Sequence, residues 1–334
     1  VLEPARNRLE VVTVDALVDG VHFDRRFTPA DAIGHRSLAV NLSDLASMGA
    51  EPRYALLSLA LPADYPLADF EALVHGFGRL ASRHRLHLVG GNLTHTPGPL
   101  VIDVTAVGTV KRRGALRRTG ARAGDEVYVS GSVGTAAAGL RILRAALPDV
   151  TTGDSAACIE RYLRPEPRVR LGTLLGRNRA ASTCMDLSDG LADAAHQVAR
   201  ASGVGMRIDA EALPLLPAAR DRFVADGDDP LIAAVSGGDD YELLFTVRPR
   251  LRNRLRRRAS GLYRNARVPG ARRRRRHPAR WPAHRALAHP PAFSPGVELS
   301  APGSLDFPQA QCGRQRARGA GVAARRARST VVAR

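Results

Sequence analysis

The feature that most constrains the fold is an alternation of strand-like and helix-like segments, which runs from about Val11 to Val247 and then stops. Short β-branched or apolar runs alternate with longer segments whose apolar residues recur at helical spacing. This alternation favours an α/β protein, and 334 residues are enough for two domains. We predict one domain over 1–120, a second over 121–250 and an irregular basic tail over 251–334.

The predicted elements follow from periodicity and from helix start and stop signals. Thr28, for example, suits the N-cap of a helix, and Pro29 suits its first turn. Strands are predicted at Val11–Val14, Arg53–Leu61, His87–Val89, Leu100–Val110, Glu126–Ser130, Met206–Ile208 and Tyr241–Val247. Helices are predicted at about Ala30 to Met48, Leu67–His84, Ala136–Leu147, Ile159–Leu163 (its end only) and Ser188–Ser202.

The net charge of +18 is concentrated in the tail. Residues 251–334 hold 21 Arg and only two acids, a net charge of +19, so the first 250 residues are nearly neutral at −1. The Arg-rich composition predicts a tail that buries little apolar surface. Its four aromatic residues are too scattered for a base-stacking platform, so nucleic acid is the less favoured partner.

The remaining composition limits the location of the chain. It has no run of eighteen apolar residues and no charged-then-apolar leader, so we expect neither a membrane span nor secretion. Its three cysteines lie far apart at Cys158, Cys184 and Cys312. They argue against a disulfide framework or a cysteine-built zinc site, and they predict a reducing cytoplasm.

Four acidic motifs carry the candidate chemistry. They are Thr13-Val-Asp15, Asn41-Leu-Ser-Asp44, Asp186-Leu-Ser-Asp189-Gly190 and Ser236-Gly-Gly-Asp-Asp-Tyr-Glu242. Each places a carboxylate beside Gly, Ser or a strand end. Such carboxylates can hold Mg²⁺ ions that offset the charge of a triphosphate. The motifs therefore indicate phosphoryl transfer from ATP.

Each motif also has a purely structural interpretation. Asp44 can be a solvated helix residue, Ser188 and Asp189 can cap the following helix, and Gly237-Gly238 can be an ordinary turn. No P-loop sequence is present, and Lys111 is the only lysine of the chain. A P-loop kinase is therefore excluded, and so is a protein kinase, whose catalytic motifs are absent.

The order and wording of the motifs resemble the thiamine-monophosphate kinase family from about residue 9 to 247. The matching segments are Asp15-Ala-Leu-Val-Asp-Gly-Val-His22-Phe23, Ala39-Val-Asn-Leu-Ser-Asp44, Gly90-Gly91-Asn92, Arg118-Thr-Gly-Ala121, Leu163-Arg-Pro-Glu-Pro-Arg168, Met185-Asp-Leu-Ser-Asp-Gly-Leu191 and Ser236-Gly-Gly-Asp-Asp-Tyr-Glu242. Aminoimidazole ribonucleotide synthetase, selenophosphate synthetase and a hydrogenase-maturation dehydratase share the general plan. The resemblance implies the two-domain α/β fold of aminoimidazole ribonucleotide synthetase.

It also implies direct transfer of the ATP γ-phosphoryl group to thiamine monophosphate, with no covalent enzyme intermediate. The expected partners are ATP, several Mg²⁺ ions, thiamine monophosphate and a second copy of the chain, paired through the N-terminal sheets. By matching motifs, Asp15, Asp44, Asp186, Asp189, Thr13 and Asn92 would hold the metal. Gly91, Asn92, Arg118 and Ser188 would bind ATP, and His22 and Asp239 would bind thiamine monophosphate.

The sequence departs from the family's pattern inside the motifs and at both ends. Asn92 stands where the family often has Asp, Asp239 where it usually has Glu, and Val14 where it usually has Thr. We expect the chain to lack the family's N-terminal Asp-Asp segment and its C-terminal aromatic segment, and the tail to be disordered or a frameshifted reading of that C-terminus. Two alternatives follow: an inactive member of the fold, or nucleic-acid binding through the Arg-rich tail.

Overall fold

The structure, a computed structural model, describes residues 5–145, 154–253, 255, 298–300, 304–307 and 331–332. Within them, strands and helices alternate in two blocks, which confirms the predicted α/β class. Among these residues no helix is long and apolar enough to cross a membrane.

The first block is one sheet with helices on one face. Its main strands are β1 (Arg8–Val18), β2 (Glu51–Pro62), β3 (His87–Thr96) and β4 (Val101–Lys111), in the order β1-β4-β2-β3. β4 is antiparallel to both of its neighbours, whereas β2 and β3 are parallel. Helix α1 (Ala30–Ser47) connects β1 to β2, and α2 (Leu67–Arg83) provides the crossover that the parallel pair requires.

The strands of this sheet bury alternate residues. In β1, Val11, Thr13 and Leu17 are buried, whereas Val14 between them is 55% exposed. Successive side chains of a strand point to opposite faces, so one face is covered by the helices and the other is open. The open face bears exposed apolar side chains, including Leu56, which is 44% exposed.

The second block consists of short strands and six helices. Its strands are β5 (Glu126–Val129), β6 (Thr183–Asp186), β7 (Met206–Asp209) and β8 (Leu243–Val247). β8 lies between β5 and β6 and is antiparallel to both. The helices are α3 (Thr135–Arg144), α4 (Asp154–Leu163), α5 (Val169–Asn178), α6 (Leu191–Ser202), α7 (Pro217–Ala225) and α8 (Pro230–Ser236).

Helix α1 joins the two blocks. It packs against α2 and the first sheet, and it also contacts α5 and β6 of the second block. Fourteen of its eighteen residues are buried, many of them Ala, Ser or Gly. Small side chains allow close packing on several sides, so α1 is a rigid element common to both halves.

Most predicted elements are confirmed, with boundaries shifted by a few residues. Four predictions were wrong in extent. The strand predicted at Val11–Val14 runs from Arg8 to Val18, and the helix predicted at Ala136–Leu147 ends at Arg144. The strand predicted at His87–Val89 continues through both glycines to Thr96, because a bulge in its pairing with β2 accommodates them. The helix predicted to start at Ser188 starts at Leu191. Helices α5, α7 and α8 and strand β6 were not predicted.

Most of the predicted tail, 251–334, lies outside the described residues. The described tail residues include three short strands that the sequence did not predict: β9 (Glu298–Ser300), β10 (Ser304–Phe307) and β11 (Val331–Val332). β10 pairs with β7 and β9, and β11 pairs with β1. The frameshift hypothesis and the exact domain limits stay predictions.

Candidate functional site

Two of the predicted acidic residues meet at the contact between α1 and the end of β6. Ser43 Oγ of α1 donates a 2.9 Å hydrogen bond to Oδ2 of Asp186, the last residue of β6. The next residue of α1, Asp44, accepts a hydrogen bond from Thr13 Oγ1 of β1. Three elements from both blocks therefore place two carboxylates and two hydroxyls in one buried region.

The charges of this region are poorly compensated. Burial raises the pKa of Asp186 to about 7, and repulsion by Asp44 and Asp15 adds to the increase, whereas the Ser43 hydrogen bond opposes it. Burial also raises the pKa of Asp44, against the Thr13 hydrogen bond and the nearby positive charge of Arg118. A bound cation would stabilise both ionised carboxylates.

Asp15 and Asp189 lie at the edges of this region. Asp15 is two residues after Thr13 in β1 and therefore shares its face, and its charge acts on Asp186. Asp189 is exposed and accepts a 3.3 Å hydrogen bond from Ser188 Oγ. Helix α6 has Gly190 as its N-cap residue and no side-chain cap, so neither Ser188 nor Asp189 has the capping role considered above.

The loop before β8 packs directly on the loop after β6. The Asp239 N–H donates to Ser188 O at 2.7 Å, and the Tyr241 N–H donates to Leu187 O at 3.0 Å. Gly238 permits this approach, since a Cβ there would lie 2.5 Å from Ser188 O. Gly237-Gly238 is therefore a site of close contact between two motif loops rather than an ordinary turn.

A cleft of about 160 Å³ opens beside these loops. It is lined by both predicted substrate residues, His22 and Asp239, and also by Asp24, Arg144 and Tyr241. The His22 ring is held by its own turn, in which Nδ1 accepts a 3.1 Å hydrogen bond from the Val18 N–H. The structure thus brings together the two residues that the resemblance assigned to the acceptor substrate.

The cleft is also lined by Arg36, which the sequence analysis missed. Arg36 is 1% exposed, and its guanidinium forms a 2.7 Å ion pair with Asp239. It also lies over the rings of Tyr162 and Tyr241, at 4.5 and 5.9 Å from their centroids. The available signal was a charged residue eight positions before Asp44 on a helix otherwise rich in small and apolar residues.

The predicted ATP residues fall into two groups. Arg118 and Ser188 lie near the buried carboxylates, and the Arg118 guanidinium is oriented by a 2.7 Å hydrogen bond to Gln197 Oε1. Gly91 lies against β2, where a Cβ would be 1.8 Å from Leu57 O, so only glycine fits. Asn92, the next residue, is exposed on the open face of the sheet.

This placement separates Asn92 from the acidic residues. In the pairing of the strands, Asn92 aligns with Ser58 and Asp103 on the open face, whereas Asp15 aligns with the buried Val104. In the sheet, β4 and β2 also lie between β1 and β3. Within one chain the structure does not bring Asn92 to Asp15, so its roles as metal ligand and ATP contact stay predictions.

The donor chemistry of the buried region fits Mg²⁺, which prefers carboxylate and hydroxyl oxygens. Asp44, Asp186 and Asp15 supply the carboxylates, and because burial and the charges of Asp44 and Asp15 raise the pKa of Asp186, a cation would stabilise its ionised form. In the part of the chain that the structure describes, no three His, Cys, Asp or Glu side chains are already arranged around a common metal position. Thr13 donates a hydrogen bond to Asp44, and Ser43 donates one to Asp186. A bound metal would share these carboxylate oxygens with the two hydroxyls or would displace the hydroxyls.

Two family models match the chain. Residues 1–110 match the AIR synthase related protein, N-terminal domain, and residues 122–267 match the corresponding C-terminal domain. Residues 111–121 lie between the two matches, close to the predicted boundary at 120.

Individual proteins extend the comparison. A thiamine-monophosphate kinase of Salmonella typhimurium is 42% identical over 245 residues, which are 73% of this chain and 72% of that protein. The crystal structure of the thiamine-monophosphate kinase of Stenotrophomonas maltophilia is 40% identical, with a TM-score of 0.73 over 81% of this chain and 85% of that one. A structure of AaThiL complexed with AMPPCP and TMP is 31% identical, with a TM-score of 0.71 over 80% and 82%.

Proposed function

We propose a function from one premise: this chain belongs to the thiamine-monophosphate kinase family. It transfers the γ-phosphoryl group of ATP to the phosphate of thiamine monophosphate, giving thiamine diphosphate and ADP. The observation that carries the proposal is the approach of the half-buried Asp44 to the buried Asp186, with little compensating positive charge, beside a cleft that contains His22 and Asp239.

The reaction joins two anions, so its main requirements are positive charge and alignment. The acceptor oxygen belongs to a phosphate that is largely ionised at neutral pH, since its second pKa is about 6. No general base is then needed to create the nucleophile, in agreement with the absence of a predicted catalytic residue. Bound Mg²⁺ would offset the repulsion and align the γ-phosphate.

Different residues of the chain would supply the metal ligands, the ATP contacts and the acceptor contacts. Asp44 and Asp186, with Asp15, Asp189 and Thr13 beside them, would hold the metal. Arg118, fixed by Gln197, and Ser188 would contact ATP near the carboxylates. His22 and Asp239 would hold the acceptor in the cleft. Positioning and charge compensation would supply the rate.

The direct test is an assay of the purified chain with ATP, Mg²⁺ and thiamine monophosphate. We expect ADP and thiamine diphosphate to form in equal amounts, with no product when either substrate or Mg²⁺ is left out. Binding of ATP and Mg²⁺ without any thiamine diphosphate would contradict the proposed activity and support the inactive alternative.

We expect Mg²⁺ to stabilise the protein more at pH 8 than at pH 6. Below its pKa of about 7, Asp186 is mostly protonated, and the metal must displace that proton; above it, the site is already ionised. The measurement is the increase in melting temperature on adding Mg²⁺ at the two pH values, without nucleotide. Asp186→Asn should remove the difference between them. An equal increase at both pH values in the wild type would contradict this role of Asp186.

We also propose that two copies pair through the open face of the first sheet. This face bears exposed apolar side chains such as Val14 and Leu56, and β3 is exposed along its length at the sheet edge. Contiguous exposed apolar surface and an uncovered sheet edge are features of association surfaces.

The pairing can be tested by Leu56→Asp, which would bury a charge if the face were covered. We expect the dissociation constant of the dimer to rise at least about tenfold, measured by analytical ultracentrifugation. Val224→Asp, on an exposed residue of α7 outside the sheet, is the control and should leave the dimer intact. A wild type that is monomeric at every concentration, or a dimer unaffected by Leu56→Asp, would contradict pairing by this face.

A further inference from the structure

The strongest feature outside the metal-holding residues is the environment of Arg36. This α1 residue is 1% exposed, so its charge depends on its partners. One guanidinium nitrogen donates to Tyr162 O at 2.6 Å, and another pairs with Asp239 Oδ1 at 2.7 Å. Removing Asp239 would leave the buried charge of Arg36 without its anion, and removing Arg36 would release the partly exposed carboxylate of Asp239 from its main partner.

Two tyrosine rings restrict the guanidinium further. The Tyr162 ring centroid is 4.5 Å from the Arg36 guanidinium carbon and the Tyr241 centroid 5.9 Å. Planar stacking of this kind suits arginine and not lysine. Arg36 is thus fixed by one carbonyl, two rings and one carboxylate, and among these partners the carboxylate of Asp239 is the anionic group in the wall of the cleft.

The backbone at Asp239 is also held in an uncommon conformation. Asp239 and Tyr241 have φ of 69° and 49°, in the left-handed region that non-glycine residues seldom adopt. The hydrogen bonds of their N–H groups to Ser188 O and Leu187 O maintain these angles. Strain retained by surrounding contacts is common where a side chain must be aimed at a ligand.

The two oxygens of Asp239 have different surroundings. Oδ1 pairs with Arg36 and accepts a 3.2 Å hydrogen bond from the Tyr241 hydroxyl. Among the residues that the structure describes, Oδ2 has no recorded hydrogen-bond donor, and the side chain is 33% exposed in the wall of the cleft. One oxygen is therefore held by two donors, and the other remains available to accept a contact from a ligand.

We propose that Arg36 is a positioning residue for the acceptor substrate: it holds Asp239 Oδ1 so that Oδ2 faces the cationic thiazolium end of thiamine monophosphate. This inference rests on the proposed function. The residues proposed above for ATP do not include Arg36. Its loss therefore weakens the acceptor interaction selectively, because Asp239 can then turn away from the cleft.

The test compares Arg36→Met and Arg36→Lys with the wild type. We expect Arg36→Met to raise the KM and the calorimetric Kd for thiamine monophosphate at least about tenfold. The KM for ATP should change less than about threefold, which is below 1 kcal/mol. Arg36→Lys keeps the charge and loses the planar stacking, so it should restore part of the affinity. Arg177→Met removes an exposed ion pair with Glu51 and is the control.

A double-mutant cycle distinguishes positioning from a general effect on folding. If Arg36 acts through Asp239, Arg36→Met should weaken acceptor binding much less in an Asp239→Asn background than in the wild type. Tyr241→Phe, which removes the second donor to Oδ1, should produce a smaller loss of the same kind. Additive effects of Arg36→Met and Asp239→Asn, or equal losses for ATP and acceptor, would overturn the proposal.

The same measurements separate this inference from the proposed function. A wild type that binds thiamine monophosphate but forms no thiamine diphosphate would contradict the proposed activity. A selective loss of thiamine monophosphate binding in Arg36→Met would still support the positioning role. A wild type that does not bind thiamine monophosphate overturns both.

Discussion

Replacing Asp186 with asparagine is expected to lower the rate of thiamine diphosphate formation at least about 100-fold, while raising the stability of the metal-free protein at pH 8. The activity falls because the metal loses a charged ligand. The stability rises because the native protein keeps Asp186 ionised at pH 8 in a buried site beside Asp44. Asparagine retains an oxygen that can accept the Ser43 hydrogen bond.

The sign of the stability effect follows from the raised pKa. Between the unfolded pKa near 3.8 and the native value of about 7, the native state binds more protons, so its stability falls as the pH rises. Above pH 7 the full cost is present, about 2 to 4 kcal/mol. The gain from Asp186→Asn should therefore be largest at pH 8 and shrink towards pH 4, as measured by urea unfolding without Mg²⁺.

The matched control is Asp221→Asn, on an exposed aspartate of α7, which should change neither activity nor stability measurably. If Asp186→Asn kept more than a tenth of the activity, the assignment of Asp186 to the metal would be wrong. If it lowered the stability at pH 8, buried repulsion would not be the dominant effect at this position.

The second large effect concerns folding, at Glu242. This carboxylate is fully buried, accepts a hydrogen bond from Ser130 and forms ion pairs with Arg161 of α4 and with Arg168, the residue before α5. It therefore joins β8 to two helices. Glu242→Gln keeps the shape and leaves two partly buried arginines without their common anion.

We expect Glu242→Gln to lower the free energy of unfolding by about 3 to 5 kcal/mol, the usual cost of breaking a buried ion pair from one side. The melting temperature should fall by roughly 10 °C. Glu51→Gln is the control, since Glu51 also pairs with two arginines, Arg8 and Arg177, but is 32% exposed. It should cost less than about 1 kcal/mol. Equal losses in both variants would show that burial does not determine the effect.

Much of the fold could be predicted because its signals are local. The helix about Ala30 to Met48 and the strand Leu100–Val110 were predicted from local patterns, and the structure confirms both. The predicted cap was wrong, since the N-cap residue of α1 is Pro29 and no side chain caps the helix. The strand ending at Val89 and the helix starting at Ser188 were given wrong limits, because both limits depend on packing with distant segments. A bulge in its pairing with β2 allows β3 to continue through Gly90 and Gly91. Hydrogen bonds to the loop before β8 engage Leu187 and Ser188, so α6 starts at Leu191.

The residues of the candidate site could be predicted from the sequence motifs, but the contacts among them could not. Asp44 and Asp186 could be named from the sequence, whereas Ser43 as the hydrogen-bond donor to Asp186 required the packing of α1 on β6. Arg36 was missed because an arginine in a helix is ordinarily a solvated residue, and only the structure shows two tyrosines enclosing it. Asn92 carried a motif signal, yet strand alternation places it on the open face.

Helix α1 also has a consequence for where the chain tolerates insertions. Arg36 and Asp44 are eight residues apart on this helix, which corresponds to about 12 Å along its axis. Arg36 forms the ion pair with Asp239, and Asp44 accepts the hydrogen bond from Thr13. The helix therefore sets both the distance and the relative direction of Arg36 and Asp44. A single residue inserted between them would rotate one by about 100° relative to the other, so insertions should be tolerated in the surface loops and not in α1.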